Sequence, residues 1–236
     1  RRRRAAGGAP VKVRLVKGAN LAMEHVEAEL HGWQPTPYPT KADVDASFLD
    51  LVDRALAPRH RGCLRVGVAS HNLFHVALAH LVAVERGVTD HMDVEMLQGM
   101  APAQARVVRE ATGSVLLYLP AVAPADFDVA VGYLVRRLEE NAAPQNYLHA
   151  AFGSPDAMAA QAEAFRVAVA RRSEVGRTPR RLAPPEPPRS HPAHPAHPAH
   201  AAHPNREPFH NAPDADPALP GMRARAATLV DGDTDA

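Results

Sequence analysis

The chain has 236 residues, 46% of them hydrophobic, which is enough for a core of ordinary domain size. Its 27 basic and 26 acidic side chains leave a formal net charge of +1, which argues against recognition of nucleic acid or an anionic membrane through bulk charge. A single cysteine, Cys63, excludes an internal disulfide framework and a cysteine-based zinc site, and no apolar run approaches the roughly 20 residues of a spanning helix.

Residues 1–10 (RRRRAAGGAP) lack a hydrophobic period and are expected to be disordered. No apolar stretch follows the four arginines, so no secretory leader is expected there, and an opening residue other than Met reads as a fragment. Val11–Val16 alternates and is β-branched, which predicts a strand, followed by Lys17-Gly18. Helical periods cover Asn20–Leu30 and Val44–Leu56. A second strand, Leu64–Val68, runs into Ser70-His71-Asn72 and a helix, Leu73–Arg86, that stops at Gly87. A third strand, Val94–Leu97, leads to a helix over Pro102–Thr112 that stops at Gly113. A fourth, Val115–Leu119, leads to a helix over Pro124–Asn141. A last helix runs from Pro155 to about Arg172, with Ser154 as its N-cap. Beyond it lie 13 prolines between Pro179 and Pro220 and six histidines between His191 and His210, including an HPA repeat. Such a tract cannot bury enough apolar area to offset chain entropy and is expected to be a disordered linker.

Alternating strands and helices predict an α/β fold with parallel strands and crossover helices. No GxGxxG or GxxxxGKS follows a strand, which weakens a nucleotide-binding doubly wound sheet. Polar residues instead gather just past the strands: Lys17, Ser70-His71-Asn72, Gln98 and Tyr118. A (β/α)8 TIM barrel builds its active site from those ends, and four units make half of one.

Four groups invite a chemical reading. Arg14 lies inside a strand, where a charge is expensive unless it is paired or used; one-sided solvent exposure would also explain it. Gly18 lets a ligand approach the backbone. Ser70, His71 and Asn72 either meet a cofactor or cap the following helix. Tyr133, Arg136, Arg137 and Glu140 fall at helical spacing on one face, which suits carboxylate recognition by paired arginines or a solvated Glu–Arg surface pair. Cys63 reads as a small strand hydrophobe.

RLVKGAN (Arg14–Asn20), ASHN (Ala69–Asn72), EMLQGM (Glu95–Met100), Tyr118 with Pro120, and YLVRRLEEN (Tyr133–Asn141) resemble proline dehydrogenase in order and spacing. SPDAMAAQAEAFRVAVARR with TPRR resembles the connector of bifunctional proline utilization A proteins, and FHNAPDADPALP resembles the start of their glutamate-semialdehyde dehydrogenase module. The resemblance implies the C-terminal half of a TIM barrel. It is laid out as a disordered start (1–10), a partial barrel (11–152), a connector helix (153–172), a disordered Pro/His-rich linker (173–208) and a truncated second module (209–236).

The resemblance also implies FAD-dependent oxidation of L-proline to 1-pyrroline-5-carboxylate. Arg14 then lies near the flavin, with Val16, Lys17 and Gly18 lining its site. Ser70 (a threonine in the family), His71, Asn72 and Glu95 are the further cofactor contacts; the strand written EFQML in the family reads DVEML here, so Glu95 stands at an amide position. Arg136 and Arg137 clamp the proline carboxylate, Tyr118 and Tyr133 pack on its ring, and Glu140 orients the arginines. Implied with these are NAD for the second module, a quinone acceptor, reversible peripheral contact with the inner face of the membrane, a cytoplasmic location and no nucleic acid. Alone, the polypeptide is expected to bind FAD poorly. The other readings are a catalytically incompetent fragment or interaction module, and another TIM-barrel enzyme.

Overall fold

The computed structural model describes residues 2–18, 21–178, 180 and 221. By its contacts the chain divides into two units, Arg1–Leu21 with Pro37–Gly176, and Ala22–Thr36 with Arg177–Ala236. Among the described residues no helix is long and apolar enough to cross a membrane.

The first unit is built on four parallel strands, β1 (Val11–Leu15), β2 (Leu64–Ala69), β3 (Met92–Leu97) and β4 (Leu116–Tyr118), hydrogen-bonded in chain order. All four predicted strands form, with ends shifted by one or two residues at most. Alternation gives the sheet two unlike faces. Leu15, Val66, Val68, Val94 and Met96 point to one side and are buried. There they meet Phe48, Leu49 and Val52 of helix α3 (Lys41–Ala55) and Val76, Ala79 and Ala83 of α4 (Leu73–Glu85). Val108 of α5 (Pro102–Thr112) and Ala168 of α8 (Pro155–Arg171) complete this core. Each large side chain here contributes about 1.5–3 kcal/mol by leaving water. The opposite face carries Lys12, Arg14, Arg65, Asp93 and Glu95, and it is polar.

Local chemistry sets the helix ends. Thr40 accepts the Asp43 N–H at the start of α3, a cap worth about 1 kcal/mol. Ser154 caps α8 through the Ala157 N–H with Pro155 in the first turn, as the sequence predicts. Gly113 ends α5 in the left-handed conformation, φ 83°. Arg171 at the end of α8 ties back to Asp43 on α3 at 2.8 Å.

The structure departs from expectation in four places. Within the segment expected to be disordered, Arg2–Ala5 forms one helical turn, α1, closed by the Gly7 N–H to the Arg4 carbonyl and by Arg4 Nη1 to the Gly8 carbonyl. The helix expected from Pro124 begins as a 3-10 turn, Pro124–Asp126, and becomes α6 over Phe127–Ala142. A short helix, α7 (Tyr147–Ala151), was not predicted, because five residues are too few to show a period. Its signal is Asn146, whose side chain accepts the Leu148 N–H. Cys63 lies in the turn before β2, its carbonyl accepting the Val11 N–H.

The described part of the second unit holds nearly all of α2 (Leu21–Leu30). That helix ends with Gly32 at φ 65°, the Trp33 N–H returning to the Ala28 carbonyl and the Gly32 N–H to that of Glu29. The His31 and Trp33 rings stack at 4.4 Å. The HPA tract, most of the proline-rich linker and the FHNAPDADPALP segment lie outside the described residues.

Candidate active site

The polar face of the sheet is an ion-pair lattice. On β3, Glu95 is only 3% exposed, which an isolated carboxylate could not tolerate. It pairs with Arg14 Nε through Oε2 and with Lys12 Nζ through Oε1, the latter at 2.9 Å. Asp93, on the same strand, accepts from Arg65 Nε at 2.7 Å and pairs with Lys12 at 3.0 Å. Hydrogen bonding from Arg65 holds the Asp93 carboxyl below its ordinary range. Both oxygens of Glu95 therefore serve cations of β1, where the sequence anticipates a cofactor contact. Arg14 lays its guanidinium over the Tyr118 ring, 4.4 Å from the centroid. Its Nε faces Glu95, while the two Nη groups are further donors.

Lys17, just past β1, reaches into a pocket of helix residues. Its ammonium lies 3.1 Å from Asp45 Oδ1 and 3.2 Å from His75 Nδ1. Burial pushes the Lys17 pKa down. Burial also pushes His75 down, to about 3, so the imidazole is neutral and its Nδ1 accepts a hydrogen bond from the Lys17 ammonium. Burial alone would raise the Asp45 carboxyl, but Lys17 and Lys41 outweigh it and hold it below the usual range. Asp45 and His75 were missed at the sequence level. The sequence signal is weak: Asp45 is one of four aspartates in α3, and His75 is one of two histidines in the largely apolar α4. Val16 is exposed beside Lys17, and Gly18 adopts φ 87°, which favours glycine there.

Ser70-His71-Asn72 divides its labour. Asn72 Oδ1 caps α4, accepting from Phe74 and His75, and Ser70 Oγ accepts the Asn72 N–H at 3.1 Å. These two residues build the turn. His71 is held differently: its Nε2 accepts the Leu97 N–H at 2.9 Å, which puts the proton on Nδ1. Nδ1 is buried and has no partner among the described residues, and burial lowers the His71 pKa.

Helix α6 brings its residues to the strand ends. Arg137 is buried, donates from Nη1 to Glu140 Oε2 at 2.6 Å and lies 5.1 Å over the Tyr133 ring. Burial raises the carboxyl of Glu140, with Arg137 and Lys17 opposing. The Tyr133 and Tyr118 rings are 6.2 Å apart. A continuous path thus links Arg14, Tyr118, Tyr133, Arg137 and Glu140. Arg136, one residue round the helix, is not part of it; its Nε is buried with no partner among the described residues. Buried donors without a partner among the described residues thus include His71 Nδ1–H and Arg136 Nε–H. Among the described residues no group of histidines, cysteines and carboxylates could hold a metal ion.

Residues 2–150 match the family described as proline dehydrogenase. Two solved structures are similar along 97% of the chain. Proline utilization A (PutA) from Corynebacterium freiburgense is 50% identical with a TM-score of 0.70. PutA from Bdellovibrio bacteriovorus, inactivated by N-propargylglycine, is 26% identical with a TM-score of 0.63. The chain spans about one fifth of the length of these two proteins, 20% and 21%. A search of curated proteins finds no match.

Proposed function

This chain belongs to the proline dehydrogenase family, and from that premise we propose that it forms part of an FAD-dependent site that oxidises L-proline to 1-pyrroline-5-carboxylate, within a longer protein of the proline utilization A type. The observation that carries this reading is the path from Arg14 through Tyr118 and Tyr133 to Arg137 and Glu140, which joins the strand ends to the arginine helix.

The donor set fits a flavin. Arg14, Lys17 and His71 surround the strand ends with N–H groups, and the unpartnered Nδ1 of His71 suits the carbonyl and ring-nitrogen acceptors of such a group. When bound, FAD supplies the two-electron acceptor. The chain's own residues bind and orient. Arg136 and Arg137 take the substrate carboxylate, Arg137 already aimed by Glu140 below it and Tyr133 beside it. The Tyr118 and Tyr133 rings give the pyrrolidine an apolar wall. Lys17, anchored by Asp45 and His75, keeps two of its three ammonium protons committed inside the protein. The inactivator of the Bdellovibrio protein is itself an α-amino acid with a secondary amine, the same functional groups as proline.

The resemblance extends the proposal to half of a (β/α)8 barrel, a connector helix in α8 and a second, NAD-dependent module. It extends it likewise to a quinone acceptor, reversible peripheral membrane contact and a cytoplasmic location. The test is a visible spectrum of the natural protein that contains this chain. A flavin spectrum bleached by L-proline is expected; a colourless protein, or a flavin indifferent to proline, overturns the reading.

A further inference from the structure

Glu95 reaches Arg14 and Lys12 across an intervening strand. Its partners stand on β1 and it stands on β3, with β2 between them. Strands two apart are separated by about 9–10 Å, so a carboxylate can bridge them only by lying over the middle strand. The residue of β2 at that point is Gly67, which pairs with Arg14 on one side and Asp93 on the other. A Cβ at position 67 would sit 2.2 Å from Glu95 Oε1 and 2.9 Å from its Cδ. Gly67 is not among the glycines with positive φ, so its backbone does not demand glycine. Space does: the missing side chain is the groove through which the carboxylate passes.

We propose that Glu95, seated over Gly67, is a positioning residue for Arg14, fixing where its guanidinium points and how much positive charge it presents to the flavin. The inference rests on the function proposed above. Glu95 pairs with Nε, the edge of the guanidinium nearest the strand, and Tyr118 takes one face, so these two contacts together fix the orientation of the guanidinium. The charge balance follows from the same residues. Lys12, Arg14 and Arg65 against Asp93 and Glu95 leave one net positive charge on this face. With an amide at position 95 the same face would carry two. A more positive surround favours the electron-rich form of a bound redox group, so Glu95 holds the flavin potential down.

The experiment uses the natural protein with its flavin. Glu95→Gln keeps the size of the side chain and an acceptor for Arg14 while removing the charge. Flavin content should be retained and the midpoint potential should shift positive. A parallel series reads thermal stability without reference to flavin. Gly67→Ala should lower the melting temperature in the parent, and in a Glu95→Ala background the same change should have little effect, because the clash is gone. A positive potential shift together with this rescue supports the proposal. An unchanged potential with the rescue intact makes Glu95 a structural ion-pair partner only and overturns it. Absence of the rescue overturns the groove geometry itself. Absence of flavin from the parent protein overturns the functional reading, and the positioning role with it, while the rescue still reports on Gly67 and Glu95.

Discussion

Arg14 lies with its guanidinium over the ring of Tyr118, 4.4 Å from the centroid, and so joins the first strand of the sheet to the last. At partly exposed sites such a contact is worth about 0.5–1 kcal/mol. Tyr118→Ala removes the ring and should weaken proline binding in the natural protein by about 2–5-fold, the same energy expressed as affinity. Tyr118→Phe keeps the ring face and should bind as the parent does. Equal losses in both variants would assign the effect to the hydroxyl.

Arg137 is the better-organised of the two arginines proposed to hold the substrate carboxylate, held by Glu140 and stacked on Tyr133. A charge-assisted hydrogen bond contributes about 1.5–3 kcal/mol. Arg137→Met should therefore raise the Michaelis constant for proline by about 10–100-fold. Arg136→Met should act in the same direction. Turnover and Michaelis constant both unchanged in the two variants would remove the clamp assignment.

The anchor beneath Lys17 makes a stability prediction independent of substrate. Breaking one side of a fully buried pair costs about 3–5 kcal/mol. Lys17 keeps a quarter of its side chain in solvent, 25% against 6% for Asp45. Asp45→Asn should thus cost less, about 2–3 kcal/mol, and should also lower flavin retention. Denaturant titration measures the first and absorbance per protein the second. A stability loss without loss of flavin would confine the cluster to the core.

His75 gives stability a pH dependence of defined sign. Burial, then the charge of Lys17, lowers its pKa from 6.5 to about 3 in the folded chain. Between those values the unfolded chain binds a proton that the folded chain refuses, so stability rises with pH. It is fully present above about pH 6.5 and is lost as the pH falls toward 3. His71 acts in the same sense through burial, Asp45 acts only near the acid end, and Lys17 acts in the alkaline range. His75→Gln retains an acceptor for Lys17 and should flatten, without abolishing, the slope of denaturation midpoint between pH 7 and 4. An unaltered slope would place the titration elsewhere.

Two glycines separate conformation from space. Gly113 sits at φ 83° with nothing within 4 Å of an added Cβ. Gly113→Ala should cost about 1 kcal/mol through backbone strain alone. The loss should persist whatever residue occupies position 95, unlike that at Gly67. Thermal denaturation of the single and double variants reads the difference.

Much of this was legible in the sequence because the strands alternate cleanly and end in polar residues. β1 to β4, the caps at Ser154 and Gly113, and the grouping of Tyr133, Arg137 and Glu140 all follow from short-range pattern. What could not be read was contact across the sheet. The pairing of Glu95 with Arg14 depends on register between strands 81 positions apart, and a carboxylate looks the same whether it meets a ligand or a guanidinium. The Lys17 cluster was hidden similarly, since Asp45 and His75 come from two different helices. Ser70 and Asn72 carried both readings, and their hydrogen bonds show the turn-building one.

The alternation of the strands has one more consequence. Val66 beside Gly67 and Val94 beside Glu95 are sequence neighbours with opposite employers, the first of each pair serving the core and the second the chemistry. Deleting one residue within β2 or β3 would trade the two sets, driving charged side chains into the helix layer and valines onto the ion-pair lattice. These strands can therefore drift by substitution but not by length, and insertions or deletions should be confined to the loops between them.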